Sequence, residues 1–338
     1  MLTDDERIKL ESEDPYWFEE LFYHDLESWF SSDIACCDEC YDDFLKYWPH
    51  VYSADKAAFQ CNSISLDCFY SGSRLSESYT EEEFYKYLKL IPCPRCGSEL
   101  RYNIWPYNFP FDLVDDFENK ITEIVNIAQS TPFMLMEHPF AKELYLAIKD
   151  LSIASVPSLI TSPLYRARTK ERLQSASISE FDFPPKEFVS EGRYNHAGVP
   201  ALYLASDPAT CFFEMRESPS IIAEINITKE VKILDLVTPY ESHRKHDDLL
   251  STLTYSALIS ARQSNTGWYR PMYIFSRFIS DCAKYSGFDA IKYPSTRTSN
   301  DNDSYNLVIL NNELSLQNSS TVSRLMGYTK DGEENILQ

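Results

Sequence analysis

Three residues in the run EGRYNHAGVPALYLASDPATCFFEMR, residues 191–216, have side chains whose chemistry a single cleft could combine. Arg193 follows a glycine, Tyr203 lies 10 residues later inside an apolar stretch, and Glu214 lies 11 further on. An arginine offers a planar fork to phosphate oxygens. A tyrosine offers a flat face to a heteroaromatic ring. A glutamate can hold a ribose hydroxyl and stabilise positive charge developing on a sugar. Together they suit a dinucleotide with a cationic ring and a breakable glycosidic bond. Taken singly, each has a plainer reading: a surface turn arginine, a core tyrosine, a glutamate on a solvated helix face.

A second group of reactive side chains lies upstream. Residues 33–105 hold seven of the nine cysteines, including Cys37-Asp-Glu-Cys40 and Cys93-Pro-Arg-Cys96-Gly97. Two thiolates separated by two residues can converge on one ion from a tight turn, and four complete a tetrahedral zinc shell. Cys36 competes with Cys37 as a ligand, and Cys61 and Cys68 are spare candidates. A closed shell of four cysteines has no open position, so such a zinc is expected to be structural. The plainer alternative is that the cysteines are small buried residues.

These groups need elements to position them. VPALYLA, residues 199–205, reads as a short buried strand, and DPATCFFEMRE as a helix capped by Asp207 with Pro208 in its first turn. That strand–helix unit can carry Tyr203 and Glu214 to one place. IIAEINIT, VKILDL, FDAIKY and NLVIL read as further strands, and residues 271–286 as a helix ending before Gly287. Upstream, Phe117, Ile121, Ile124, Val125 and Ala128 mark one helical face over 115–131, and Phe140, Leu144, Ile148 and Leu151 mark a second. Strands and helices mix without a repeating unit, which predicts an α+β fold. The expected organisation is a mostly helical N-terminal domain with the cysteine segment over residues 1–155, a second domain over 160–315, and a polar, frayed tail over 316–338.

Composition narrows the function classes. The 338 residues carry a net charge of −21, which disfavours binding to polyanionic nucleic acid. Hydrophobic residues make up 43%, enough for packed cores. Glycine is scarce, at 8, which counts against Gly-rich nucleotide loops. No run is long and apolar enough to span a membrane, and the acidic start MLTDDERIKLESEDP lacks the apolar core of a secretory signal, so a cytoplasmic protein is expected. The odd number of cysteines fits thiols or metal ligands better than a disulfide framework.

The run from Gly192 to Glu214 resembles the central signature of the RES domain family. The resemblance extends from about Pro163 to Asn311. Leu164-Tyr165-Arg166 is similar to the family's opening strand, GFDAIKYPS supplies Ser295, and Tyr305-Asn306-Leu307-Val308 is similar to the closing strand. The family resembles ADP-ribosyltransferases in fold, which implies a mixed sheet with helices. It also implies an enzyme that consumes NAD by hydrolysis or phosphorolysis, with water or phosphate as acceptor, and often a toxin restrained by an antitoxin. On this resemblance Arg193, Tyr203 and Glu214 are the expected catalytic core, and Arg166, Ser295 and Asn306 the expected NAD-binding residues. Cys211 and Tyr305 depart from the pattern, where a smaller residue and a glycine are common. Ser276 is a further candidate, and His196 reads as an exposed loop residue. The cysteine knuckles resemble the module found ahead of some RES and HEPN domains, which implies a sensing, docking or restraining role for the N-terminal part. Two alternatives stand beside the NAD-degrading enzyme: a protein ADP-ribosyltransferase using the same site, and a non-enzymatic zinc-stapled adaptor.

Overall fold

The computed structural model describes residues 3–13, 17–31, 33–51, 62–173, 175, 177–260, 271–296, 304–329 and 332–336. The chain forms two compact units, Met1–Pro110 and Phe111–Gln338.

The first unit is built on aromatic packing. Helix α1 (Trp17–Phe30) buries Phe18, Phe22 and Leu26, spaced four apart along one face. Phe18 meets the rings of Tyr79, Phe84 and Tyr87 at 5.3–5.8 Å. Buried Asp25 on α1 accepts hydrogen bonds from the Arg74 amide at 2.8 Å and from Arg74 Nε at 2.7 Å. Strand β1 (Ile34–Cys37) leads into α2 (Tyr41–Tyr47), and β2 (Ile64–Ser65) into α3 (Leu66–Gly72). Helix α4 (Glu81–Tyr87) starts with a full capping box between Thr80 and Glu83. With β3 (Asn103–Pro106), the strands form an antiparallel sheet in the order β1-β3-β2.

The second unit begins with helices α5 (Phe117–Ser130) and α6 (Pro139–Ala154), both where the apolar periodicity predicts them. They belong with the C-terminal unit, not with the cysteine segment that precedes them, so the division falls near residue 110 and not near 155. Their partners are distant in sequence: both pack on the helix Pro271–Tyr285, and from α6 Ser152 hydrogen-bonds the Ser286 carbonyl and Asp150 pairs with His246 at 3.0 Å.

The remaining strands are β4 (Leu164–Thr169), β5 (Leu202–Ala205), β6 (Ser220–Ile227), β7 (Ile233–Asp235), β8 (Ala290–Pro294), β9 (Tyr305–Ile309), β10 (Ser320–Thr329) and β11 (Gly332–Ile336). They form one mixed sheet in the order β11-β10-β6-β4-β5-β9-β8-β7, with only the β7–β8 pair parallel. This is the α+β fold expected. Side chains alternate across the sheet. One face carries the larger core, with Leu164, Leu204, Ile225, Leu307 and Ile309. The other carries Ala167, Ala205, Ile222 and Met326, against which helix α7 (Pro208–Glu214) packs Cys211 and Phe212.

Residues 320–329 are not a frayed tail. β10 pairs with β6 from Ser320 to Tyr328, and Leu325 and Met326 are buried. The polar residues that make this segment read as a tail lie mostly at partly exposed positions of the same strand.

A buried aspartate ties the loop after β4 to the turn before β10. Asp182 is 8% exposed, and its carboxylate accepts from the Phe183 amide at 2.8 Å, the Leu316 amide at 3.0 Å and Ser315 Oγ at 2.6 Å. Its removal leaves several buried donors unpaired, so Asp182→Ala is expected to cost about 3 kcal/mol. For a unit of this size that is a fall of roughly 6–12 °C in Tm, readable by thermal denaturation. A Tm within about 2 °C of wild type would show that the hub is dispensable.

Candidate active site

Pairing register sets the geometry of the site. Tyr203 on β5 lies opposite Val308 on β9, and Ala205 opposite Asn306. Asn306 lies opposite Tyr293 on β8. Cross-strand partners share a face, and residues two apart along a strand do too. Tyr203, Asn306 and Tyr293 therefore point to the same side of the sheet, the side that α7 covers.

Helix α7 delivers Glu214 to that side. The Asp207 side chain accepts from the Thr210 amide at 2.7 Å and Pro208 opens the helix, as its sequence predicts. Glu214 is the last residue of α7. The chain then turns through Arg216 and Glu217, with φ of 57° and 55°, in the left-handed region where glycine is usual. Glu214 Oε1 accepts from Asn306 Nδ2 at 2.9 Å and from Ser295 Oγ at 3.0 Å. Both bonds go to one oxygen, which fixes the rotation of the carboxylate.

Arg193 approaches from the loop before β5. Its guanidinium donates to the Ile259 carbonyl and to Thr296 Oγ1 at 3.3 Å, and it stands 5.0 Å from the centre of the Tyr273 ring. Thr296 follows Ser295, so Arg193 and Glu214 are joined through adjacent residues of one strand end. Burial works against the Arg193 charge, but Tyr273, Tyr194, Tyr293 and Glu214 around it hold its pKa above the usual arginine value. The Tyr203 phenol donates to Asn195 Oδ1 at 2.9 Å and accepts from the Tyr194 amide at 2.9 Å. Burial is the main cause that raises its pKa. The buried Tyr293 phenol lies in the field of Tyr203, Glu214, Tyr194 and Arg193 together. Arg193, Tyr203, Glu214, Ser295 and Asn306 thus form one neighbourhood.

Arg166 does not join it. Tyr165 lies opposite Ala205 and shares the site face, so its neighbour Arg166 projects to the other face. There Arg166 is buried and donates to the Tyr203 carbonyl at 2.9 Å and the Asp182 carbonyl at 3.3 Å. Burial, followed by the Arg168 charge, lowers its pKa to about 9. The structure makes Arg166 a strut between β5 and the loop after β4, apart from the neighbourhood in which the other expected site residues meet.

Sequence reasoning missed Tyr293, Thr296 and Asn195. The alternation within AIKYPST would have placed Tyr293 and Ile291 on one face, but only the pairing with β9 shows that it is the site face. Ser276, a candidate from sequence, donates from Oγ to the Arg193 carbonyl at 2.5 Å and so acts on the loop. His196 Nε2 lies 2.8 Å from Asp281 Oδ2, and this hydrogen bond is the main cause that raises the His196 pKa. A raised folded pKa means that the pair contributes at pH below the unfolded value of about 6.5 and fades as pH rises through the folded value. Both partners are substantially exposed, so the contribution is small. An NMR titration is expected to place His196 above about 6.5 in wild type and back near it in Asp281→Asn. An unshifted wild-type value would refute the pairing.

The cysteines form a separate cluster in the first unit. Cys37 ends β1 and Cys40 precedes α2, and the Cys40 amide returns to the Cys37 carbonyl at 3.1 Å. In the second knuckle the Gly97 amide closes on the Cys93 carbonyl at 2.8 Å, and Gly97 has φ of 72°, a conformation that favours glycine. The ligand atoms of Cys37, Cys40, Cys93 and Cys96 lie within 4.8 Å of one another. The Sγ separations are 3.9 Å for Cys37–Cys40, 3.6 Å for Cys37–Cys96 and 3.7 Å for Cys40–Cys93. A tetrahedral ion with metal–sulfur bonds of about 2.3 Å sets its sulfurs about 3.8 Å apart, so the cluster could hold such a metal. Alternation in β1 sends Cys36 to the opposite side, where it is fully buried outside the cluster. Cys68 is exposed and outside it, and Cys61 lies outside the described residues. Asp38 ties the first knuckle to β3, accepting from the Asn103 amide at 2.8 Å. Arg95 ties the second to α2 through Asp43 at 2.7 Å.

Among the described residues, no helix is long and apolar enough to cross a membrane. No curated protein matches the chain. A solved structure, described as the crystal structure of the M. tuberculosis MbcT-MbcA toxin-antitoxin complex, is similar at 15% identity and a TM-score of 0.35, covering 54% of this chain and 92% of that one. The family model for the RES domain matches residues 163–326. The match spans β4 to β10 and contains every residue of the cluster around Glu214. The C-terminal part of the chain is therefore a RES domain.

Proposed function

We propose that this domain breaks the nicotinamide–ribose bond of NAD, and that the chain acts as a toxin or defence effector by depleting NAD. The observation that carries the reading is the Glu214 carboxylate, fixed by Ser295 and Asn306 on the sheet face that also presents Tyr203 and lies beside Arg193. When the bond from ribose C1′ to the ring nitrogen breaks, its electron pair stays on the nitrogen. Nicotinamide leaves as a neutral ring and needs no proton. Positive charge gathers on the ribose, and Glu214 opposes it. Arg193 supplies the cation for the diphosphate, and Tyr203 packs at the nicotinamide end. Water or inorganic phosphate then adds to C1′ and loses its proton to solvent. Arg166 acts only through the β5 backbone.

Product analysis after incubation with NAD, with and without phosphate, tests this. Free nicotinamide with ADP-ribose indicates a glycohydrolase, and its 1″-phosphate a phosphorylase. Label retained on a macromolecule would instead indicate a protein ADP-ribosyltransferase. No nicotinamide release under any condition would refute the reading. Expression in cells is expected to lower NAD, and a co-expressed antitoxin is expected to restore it.

The four-cysteine cluster is read as a zinc site that staples the first unit. Bound zinc would cross-link the two knuckles and supply no chemistry to the NAD site.

A further inference from the structure

We infer that one polar stripe of helix α8 (Pro271–Tyr285) is a template that sets the conformation of the Arg193 loop, with Ser280 and the Arg277–Glu191 pair as positioning residues for the reaction. The inference rests on the NAD-cleaving reading for its kinetic arm only.

Tyr273, Ser276, Arg277, Ser280 and Asp281 recur at i, i+3, i+4, i+7 and i+8, which is one face of a helix. The opposite side, with Phe275, Ile279 and Ala283, is buried and apolar. Each residue of the stripe meets a partner in residues 191–196. Ser276 Oγ donates to the Arg193 carbonyl at 2.5 Å, and Ser280 Oγ to the Tyr194 carbonyl at 2.7 Å. Arg277 Nη1 pairs with Glu191 Oε2 at 3.0 Å, and Asp281 with His196 at 2.8 Å. The Tyr273 ring lies against the Arg193 guanidinium.

Residues 191–196 form no helix or strand, so no ladder satisfies their carbonyls. Buried backbone acceptors must find partners elsewhere, and the helix hydroxyls provide them. Serine hydroxyls inside a helix usually bond a carbonyl of their own helix. Ser280, 5% exposed, bonds the loop instead. Arg277 is also almost fully buried, at 6% exposed, with its charge met by Glu191. The ordering then passes inward. The Tyr194 amide and Asn195 Oδ1 hold the Tyr203 phenol, and Arg193 reaches Thr296 beside Ser295. Ser280 and Arg277 bond the loop itself, at the Tyr194 carbonyl and the Glu191 carboxylate, and so set the backbone from which Arg193 and Asn195 project.

The test compares full-length wild type with Ser280→Ala, Arg277→Met and the exchanged pair Glu191→Arg/Arg277→Glu. Amide hydrogen exchange over 191–196 and steady-state NAD kinetics are both measured. A loop that must reorder before binding lowers apparent affinity by its competent fraction. The single variants are expected to lose loop protection and to raise KM about tenfold, with kcat changed less than about threefold. The exchanged pair is expected to recover at least half of the Arg277→Met effect on a logarithmic scale. Unchanged loop exchange in both single variants overturns the template. So does a loosened loop with KM within about twofold of wild type. A purely structural role would lower Tm without moving KM in the folded fraction. If wild type releases no nicotinamide, the function reading fails, and the exchange arm still decides whether the stripe orders the loop. Should one single variant not fold, the other and the exchanged pair carry the comparison.

Discussion

Replacing Glu214 by Gln is expected to slow nicotinamide release from NAD by about 10³-fold while leaving the fold intact. Gln keeps the shape of the side chain and keeps an oxygen that can accept from Asn306 and Ser295, so the end of α7 stays where it is. What it removes is the negative charge facing the ribose. Removing a preorganised group of this kind costs about 10²–10³ in rate, and a full charge opposing an oxocarbenium-like centre belongs at the upper end. The effect should fall on kcat, because the charge on the ribose exists only in the transition state. Asn306→Ala, which loosens the carboxylate without deleting it, is expected to cost only about tenfold. A Gln variant that releases nicotinamide within about tenfold of wild type would remove Glu214 from the centre of the mechanism. A Tm shift of more than a few degrees would show that the loss is structural.

The second large effect belongs to the cysteines. Wild type is expected to carry one zinc per chain by metal analysis, and Cys40→Ser to carry none. Structural zinc in small modules contributes an apparent ~10–16 kcal/mol at neutral pH, which exceeds the ~5–15 kcal/mol total stability of most domains. Cys40 is a suitable ligand to remove because its side chain is buried and links the two knuckles, with its Sγ 3.9 Å from Cys37 and 3.7 Å from Cys93. Limited proteolysis should therefore cut within residues 3–110 of the variant, or of chelator-treated wild type, where untreated wild type resists. Resistance retained without metal would show that aromatic packing around Phe18 and Phe22 suffices.

The parts legible in the sequence were those whose signal is local. The spacing of each cysteine pair, the Asp207-Pro208 start of α7 and the apolar periodicity of α5 and α6 each describe one contiguous segment. That Arg166 stands apart from the other site residues is not legible in the sequence, because residue type does not say which face of a sheet a strand presents. That depends on the β4–β5 pairing, which brings Tyr165 opposite Ala205. Tyr293 was missed for the same reason, since its role depends on β9 lying beside β8. The segment read as a tail is a strand with a largely polar stretch, and its partner β6 lies about a hundred residues upstream. The division near residue 110 is hidden because α5 and α6 both pack on a helix far along the chain, and α6 is also hydrogen-bonded to distant residues. The Ser295 and Asn306 positions came from family resemblance, and the sheet supplies their physical reason: they stand at the facing ends of β8 and β9.

The pairing of the α8 stripe with residues 191–196 has a consequence for recombination between related domains. The two segments lie about eighty residues apart, yet their contacts pair hydroxyls with carbonyls and charge with charge in one fixed order. A chimera that takes the loop from one parent and the helix from another would inherit mismatched halves of one lock, even if both parents are active. A crossover point placed before residue 190 or after residue 285 keeps the halves together, whereas one between them separates the key from its lock. For anyone shuffling RES domains, the loop and the helix are a single heritable unit despite their distance along the chain.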